Sequence, residues 1–216
     1  MFYSQFGQDA LLDQLFNQMT GGFFIDVGAH DGVTYNNTLF LERERQWTGI
    51  NIEPLPHVFD QLVKNRPDMI NLNVAIDKQA GKSNFYFNQG YTEMLSGLVD
   101  YYDERHYQRL HRELAQFGGQ SSIIQIDTVP LSDIFKQYTI HHVDVLCIDV
   151  EGAEEAVLQS MGLNPPSINV IMFENNYPDQ GQCIIDHLQN QGYTLWASNA
   201  DVIMVHSRMM TKIEQG

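Results

Sequence analysis

Phe23-Phe24-Ile25-Asp26-Val27-Gly28-Ala29-His30-Asp31-Gly32 is the stretch that decides the fold. An apolar run of strand character ends on an acid and breaks into a turn bearing two glycines. Glycine adopts backbone conformations closed to other residues and lets the main chain approach a ligand that a Cβ would exclude. Downstream, residues 38–45 place Leu39, Phe40 and Leu41 before a charged stretch, a helix pattern, and Thr48-Gly49-Ile50-Asn51-Ile52-Glu53 reads as the next strand. The unit is strand, glycine turn, helix, strand.

The same alternation extends in both directions. Upstream, Leu11, Leu12, Leu15, Phe16 and Met19 fall at helical spacing within residues 2–19, and Thr20-Gly21-Gly22 stops the helix. Downstream, residues 56–64 are amphipathic, residues 70–76 read as a strand ending at Asp77, and residues 83–87 read as a return strand after a turn-rich segment. Residues 90–120, rich in aromatic and charged side chains and closed by Gly118-Gly119, interrupt the pattern as an insertion. Strands at 123–126, 143–149 and 168–173 then alternate with helices at 131–138, 153–161 and 181–189, and two short strands, 194–197 and 202–205, close the chain. This order predicts one α/β domain: a mostly parallel sheet with an antiparallel final strand and helices on both faces.

The chain has 216 residues, enough for one substantial core, and its 43% hydrophobic and 18% charged content is ordinary for a globular protein. Acidic residues outnumber basic ones 27 to 12, for a net charge of −15, which argues against nucleic acid and anionic membranes as partners. The two cysteines lack metal-ligand spacing, no apolar run is long enough to span a bilayer, and the first residues lack the pattern of a secretory leader. A soluble, cytoplasmic protein is expected.

In a parallel sheet of this kind ligands bind beyond the carboxyl ends of the strands. Asp26, Glu53, Asp77, Asp149 and Glu174 all stand at such ends. Asp26 is placed to accept a hydrogen bond from a ligand ammonium, Gly28 to let a ligand approach the turn, Glu53 to take two hydrogen bonds from ribose hydroxyls, and Asp77 to accept from an adenine amino group. Asp149, Glu174 and Asn175 offer three oxygens, a set that suits a hard cation such as Mg²⁺. Asp149 and Glu151 are equally placed to cap the helix that starts near Ala153. His30 and Glu151 are candidate bases beside Asp149.

Phe24-Ile25-Asp26-Val27-Gly28-Ala29-His30-Asp31-Gly32, the Asn51-Ile52-Glu53-Pro54 step and Cys147-Ile148-Asp149-Val150-Glu151-Gly152-Ala153-Glu154, in this order and spacing, resemble the FkbM family of methyltransferases. Ser4-Gln5-Phe6-Gly7-Gln8-Asp9 is similar to a segment of one branch of that family. The resemblance implies a class I, Rossmann-like methyltransferase sheet, S-adenosylmethionine as donor, and O-methylation of a hydroxyl on a small molecule, sugar or natural product. It places Gln8, Asp26, Gly28, Glu53 and Asp77 at the cofactor. The pair of strand ends at Asp149 and Glu174-Asn175 is similar to the magnesium site of catechol-type O-methyltransferases, with Glu174 in place of the usual Asp. The expected partner is a small-molecule or saccharide acceptor, with the 90–120 insertion capping its pocket; self-association is left open. An NAD(P)-linked oxidoreductase would share the fold but should carry G-x-G-x-x-G, which is missing, and a non-catalytic nucleoside-binding module is the other alternative.

Overall fold

In the computed structural model, which describes residues 1–198 and 200–213, the apolar run after Gly22 forms β1 (Phe23–Val27). It is preceded by α1 (Gln8–Leu15) and followed by α2 (Leu39–Arg45), β2 (Thr48–Ile52) and α3 (Pro56–Asn65). The chain continues through β3 (Ile70–Leu72), β4 (Ala75–Ile76), β5 (Gly81–Gln89), β6 (Gly97–Leu98), α4 (Glu104–Phe117) and β7 (Gln120–Val129). Its last part holds α5 (Leu131–Gln137), β8 (His142–Ile148), α6 (Glu154–Gln159), β9 (Ser167–Glu174), α7 (Pro178–Asn190), β10 (Tyr193–Ser198), β11 (Asp201–His206) and α8 (Ser207–Ile213).

Seven strands form the main sheet in the order β10-β11-β9-β8-β1-β2-β3. All neighbours from β9 to β3 are parallel, whereas β11 runs antiparallel to both β9 and β10, the ending expected from the short link between the last two strands. The chain winds outward from β1 to β3 in one direction and from β8 to β9 in the other. The crevice beyond the carboxyl ends of β1 and β8 is therefore the switch point at which such sheets hold ligands.

Side-chain alternation explains the layers, because successive strand residues face opposite sides. On one side Ile25, Val27, Leu146 and Ile148 pack with Ile134 of α5, Val157 of α6 and Leu188 of α7. On the other, Phe24, Val145 and Cys147 pack with Leu12 of α1, Leu41 of α2 and Met209 of α8. Among the described residues no helix is long and apolar enough to cross a membrane.

Two expectations about the middle of the chain change. Residues 70–76 do not make one strand: Asn73 donates its Nδ2 to the carbonyls of Glu53 (2.8 Å) and Pro54 (3.0 Å), and the chain leaves the main sheet there. β4 then pairs with β7 in a second sheet of order β4-β7-β5-β6, so the strand foreseen at 123–126 lies outside the main sheet as part of a longer one. The long antiparallel pairing of β5 with β7 is the backbone of this second sheet. Phe85, Leu98 and Ile126 of this sheet pack on Val58 of α3 and Ala156 of α6. The segment interrupting the alternation is thus wider than residues 90–120, and its sheet is fixed to the main body by an apolar seam of its own.

Candidate functional site

β1 ends against β8 so closely that the turn after it must start with glycine. Gly28 has φ +88, and a Cβ there would stand 1.7 Å from the carbonyl oxygen of Asp149. The Gly28 and Ala29 amides donate to the Ile52 carbonyl, joining the turn to β2 (2.9 and 3.1 Å). Asp26 lies buried beneath, where its Oδ2 accepts from Thr38 Oγ1 (2.8 Å) and Asn36 Nδ2 (2.9 Å). Its carboxylate is thereby engaged in holding the turn; burial raises its pKa, with the Thr38 bond opposing. Arg66, fully buried, donates to Glu42, to the Gly32 carbonyl (3.1 Å) and to Asn36 Oδ1 (3.1 Å), and so braces the far side of the same turn.

Glu53 follows β2 and is aimed by two main-chain amides: His30 N donates to Oε2 (3.1 Å) and Leu55 N to Oε1 (2.8 Å). Burial pushes its pKa up to about 7, against those two amides and the nearby His30 and His57. Glu93, from the insertion, spans His30 Nε2 (3.3 Å) and His57 Nε2 (2.8 Å), fastening the insertion to this end of the site. Burial lowers the His30 pKa, but Asp31, the Glu53 charge and the hydrogen bond to Glu93 outweigh it and the net shift is upward.

At the ends of β8 and β9 stand three further carboxylates. Asp149, Glu151 and Glu174 each present an oxygen within 4.8 Å of the others. Glu151, a non-glycine residue at φ +55, is buried, and its Oε2 lies 3.6 Å from Nδ1 of His106 on α4. Asn176 Nδ2 donates to Glu174 Oε2 (2.6 Å) and Glu151 Oε2 (3.2 Å), tying two of the three together. Burial, then the charges of Asp201 and Glu154, push Asp149 up to about 7. Burial and the Asp149 charge hold Glu151 and Glu174 well above the usual carboxylate range. Among the described residues no side chain caps α6, whose first residue Glu154 accepts from the preceding amides of Gly152 (3.0 Å) and Val150 (3.4 Å), so neither Asp149 nor Glu151 is spent on that helix.

One cavity of about 240 Å³ joins these parts: Gln8, Asp26, Gly28, His30, Glu53, Asp149, Glu151 and Glu174 all line it. Its Glu53 end is apolar, with Leu55, Ile76, Phe85 and Leu98. Glu93, Leu95, Ser96 and Arg109 of the 90–120 segment line it too, so that segment walls the site. Gln8 reaches it, but its Nε2 donates to Asp201 Oδ2 (2.6 Å).

Two of the residues singled out in the sequence do not line this cavity. Asp77 is carried off with β4 into the second sheet, where it accepts from Tyr101 Oη (2.6 Å) and Ser83 Oγ (3.3 Å). Asn175 turns toward α7, where its Oδ1 would meet a Cβ on Gly181 at 2.0 Å; Glu151 takes the third place in the acid cluster instead. Arg66, Glu93, Arg109 and Asp201 escaped the sequence reading. Of these, Asp201 carried a usable signal, an acid at the edge of the last strand pattern; β11 pairs with β9 and sets it opposite Glu174.

The strand order, the glycine turn after β1 and the acid after β2 define a class I, Rossmann-like methyltransferase fold. A sequence model of the methyltransferase FkbM domain matches residues 26–195, and the chain belongs to that family. No curated protein matches the chain in sequence. Among solved structures it is similar to methyltransferase FkbM from Methylobacillus flagellatus KT, with 12% identity and a TM-score of 0.49, covering 86% of this chain and 44% of that one. It is similar to the METTL16 methyltransferase domain, with 11% identity and a TM-score of 0.49, covering 91% of this chain and 63% of that one. A third is a SAM-dependent methyltransferase from Thiobacillus denitrificans in complex with S-adenosylhomocysteine, with 10% identity, a TM-score of 0.40, and coverage of 91% and 67%. The chain thus spans less than two thirds of the length of the first two.

Proposed function

We propose that the protein is an S-adenosylmethionine-dependent methyltransferase that methylates a hydroxyl oxygen of a small-molecule or saccharide acceptor. The observation that carries this reading is the single cavity running from the glycine turn and Glu53 to the Asp149, Glu151 and Glu174 cluster. Its two ends suit a nucleoside and a hydroxyl respectively. At the first, Glu53 has both oxygens oriented by main-chain amides, ready to accept from ribose hydroxyls, and Leu55, Ile76, Phe85 and Leu98 form an apolar slot for a base. This slot replaces Asp77 in the account of adenine recognition. Gly28 and Ala29 of the turn line the same cavity.

When bound, the donor supplies a methyl group on a sulfonium for in-line displacement by an oxygen. The chain must align that oxygen and take its proton. Asp149, titrating near 7, has the proton affinity suited to this near neutral pH, and Arg109 from the insertion offsets part of the charge on Glu151 and Glu174. The oxygen–carbon bond forms as the sulfur–carbon bond breaks, the proton passes to the carboxylate, and the sulfur leaves neutral. His30, held by Glu93 and adjoining Glu53, is assigned to the donor end. A hard cation bound by Asp149, Glu151 and Glu174 is a second reading, favoured by their proximity; it would polarise the acceptor oxygen.

Calorimetry with S-adenosylhomocysteine and with NAD, followed by methyl transfer from labelled donor to a panel of alcohols and sugars, tests the proposal. Glu53→Ala should weaken S-adenosylhomocysteine by about 1.5–3 kcal/mol, the worth of hydrogen bonds to a charged group. Binding of NAD in preference to S-adenosylhomocysteine would overturn the donor assignment. Asp149→Ala should abolish transfer while leaving donor affinity intact, and full activity in chelator would remove the cation.

A further inference from the structure

The acceptor end of the cavity is rich in hydrogen-bond acceptors and poor in donors. Asp149, Glu151, Glu174 and Asp201 all line it, against one guanidinium, Arg109. Its Nε donates to Glu113 Oε1 at 2.9 Å on its own helix, and its one positive charge is shared among Glu113, Glu151 and Glu174. Among the described residues no lysine or arginine forms an ion pair with any of the four carboxylates; the contact of this kind is His106 with Glu151. Among the described residues the neutral side chains that donate to these carboxylates are Asn176, to Glu151 and Glu174, and Gln8, to Asp201. His106, outside the cavity lining, does not supply that donor: it is 1% exposed and its Nδ1 stands 3.6 Å from Glu151 Oε2, beyond hydrogen-bond distance.

We infer that the acceptor carries an ammonium group beside the hydroxyl to be methylated, and that Asp149, Glu151 and Glu174 recognise it. An ammonium offers three N–H donors and accepts none, which is what this set of side chains lacks. A neutral polyol brings as many acceptors as donors, and a carboxylated or phosphorylated acceptor adds like charge to a part-buried acidic cluster, where repulsion is less screened than in open solvent. The net charge of −15 works in the same direction by drawing cations toward the molecule. The inference rests on the acceptor half of the function proposed above.

Ethanolamine, ethylene glycol and glycolate are two-carbon alcohols that differ in charge, small enough to enter the cavity whatever the full acceptor is. Each is titrated by NMR into protein labelled with ¹³C at its glutamate carboxyls, in EDTA, with and without S-adenosylhomocysteine. Ethanolamine should half-saturate the cluster at a concentration at least about tenfold below the other two, and Glu174→Gln should lose that margin while still binding S-adenosylhomocysteine. Glycolate binding as well as ethanolamine, or no response to ethanolamine at about 100 mM, overturns the inference. So does a response to magnesium chloride, added without EDTA, that ethanolamine does not reproduce. Failure of S-adenosylhomocysteine to bind strikes the donor reading instead and leaves the charge comparison standing.

Discussion

Gly28 and Asp149 meet backbone to backbone: a Cβ on the glycine would stand 1.7 Å from the carbonyl oxygen of the acid. The contact joins the donor turn to the strand end that carries the acid cluster, since Asp149 N also donates to the Val27 carbonyl at 2.9 Å. The two halves of the site therefore share one rigid seam.

Gly28→Ala should break that seam. The positive φ alone costs a non-glycine residue about 1–3 kcal/mol, and the clash adds to it. Chemical denaturation should show a loss of at least that size together with weaker S-adenosylhomocysteine binding. Gly81→Ala is the control, because Gly81 has nothing within 4 Å of its Cβ position. It should stay within about 0.5 kcal/mol of the parent. Equal behaviour of the two variants would remove the packing argument.

How much of this was legible beforehand follows from the range of each interaction. The β1 turn, Glu53 and the Asp149 strand end are local patterns, in which an apolar run stops on an acid, and periodicity is enough to place them at one edge of the sheet. Asp77 obeyed the same pattern and went elsewhere, because the strand break depends on Asn73 reaching back to Glu53 and Pro54. Asn175 and Asn176 are adjacent and chemically identical; which of them joins the cluster is set by α7 packing, which no local pattern encodes. Arg109 and His106 lie on a helix whose docking is tertiary throughout, so local pattern marks an insertion there but not its chemistry.

Arg66 is the strongest example of a residue hidden from pattern reading. Its guanidinium is completely buried and serves Glu42, Gly32, Asn36 and Thr38 together. Breaking a buried ion pair from one side strands the partner, so Arg66→Leu should cost about 3–5 kcal/mol by denaturant unfolding. Arg66→Lys should recover little of it, since a point ammonium cannot reproduce the fork. A loss below about 1 kcal/mol for Arg66→Leu would mean that the turn is braced by Asn36 and Thr38 alone.

The acid cluster makes stability depend on pH in a known direction. Asp149 rises from 3.8 to about 7 on folding, so between those values the folded chain holds a proton that the unfolded chain releases. Stability from this group is therefore lost as pH rises from about 4 to about 7. Asp149→Asn removes the ionisation, and its stability relative to the parent should increase across that window and level off above it. Urea midpoints at pH 4.5, 6 and 7.5 measure this, and a difference that does not change with pH would place the Asp149 carboxyl in solvent.

Arg105 ties α4 to the main body at the acceptor end. Its NH1 pairs with Asp179 Oδ1 at 2.8 Å, its Nε with Asp103 Oδ1 at 2.9 Å, and its guanidinium lies 4.2 Å from the centre of the Tyr177 ring. The side chain is 45% exposed, so the pairs are screened and Arg105→Ala should change global stability by no more than about 1 kcal/mol. Its effect should be local, because Asp103 also caps α4 and Asp179 lies in the first turn of α7. Hydrogen exchange should speed up in α4, which bears His106 and Arg109, while exchange in the β1 turn and S-adenosylhomocysteine affinity stay as in the parent. Unchanged exchange in α4 would show that its apolar contact through Leu110, 1% exposed, holds the helix without the ion pairs.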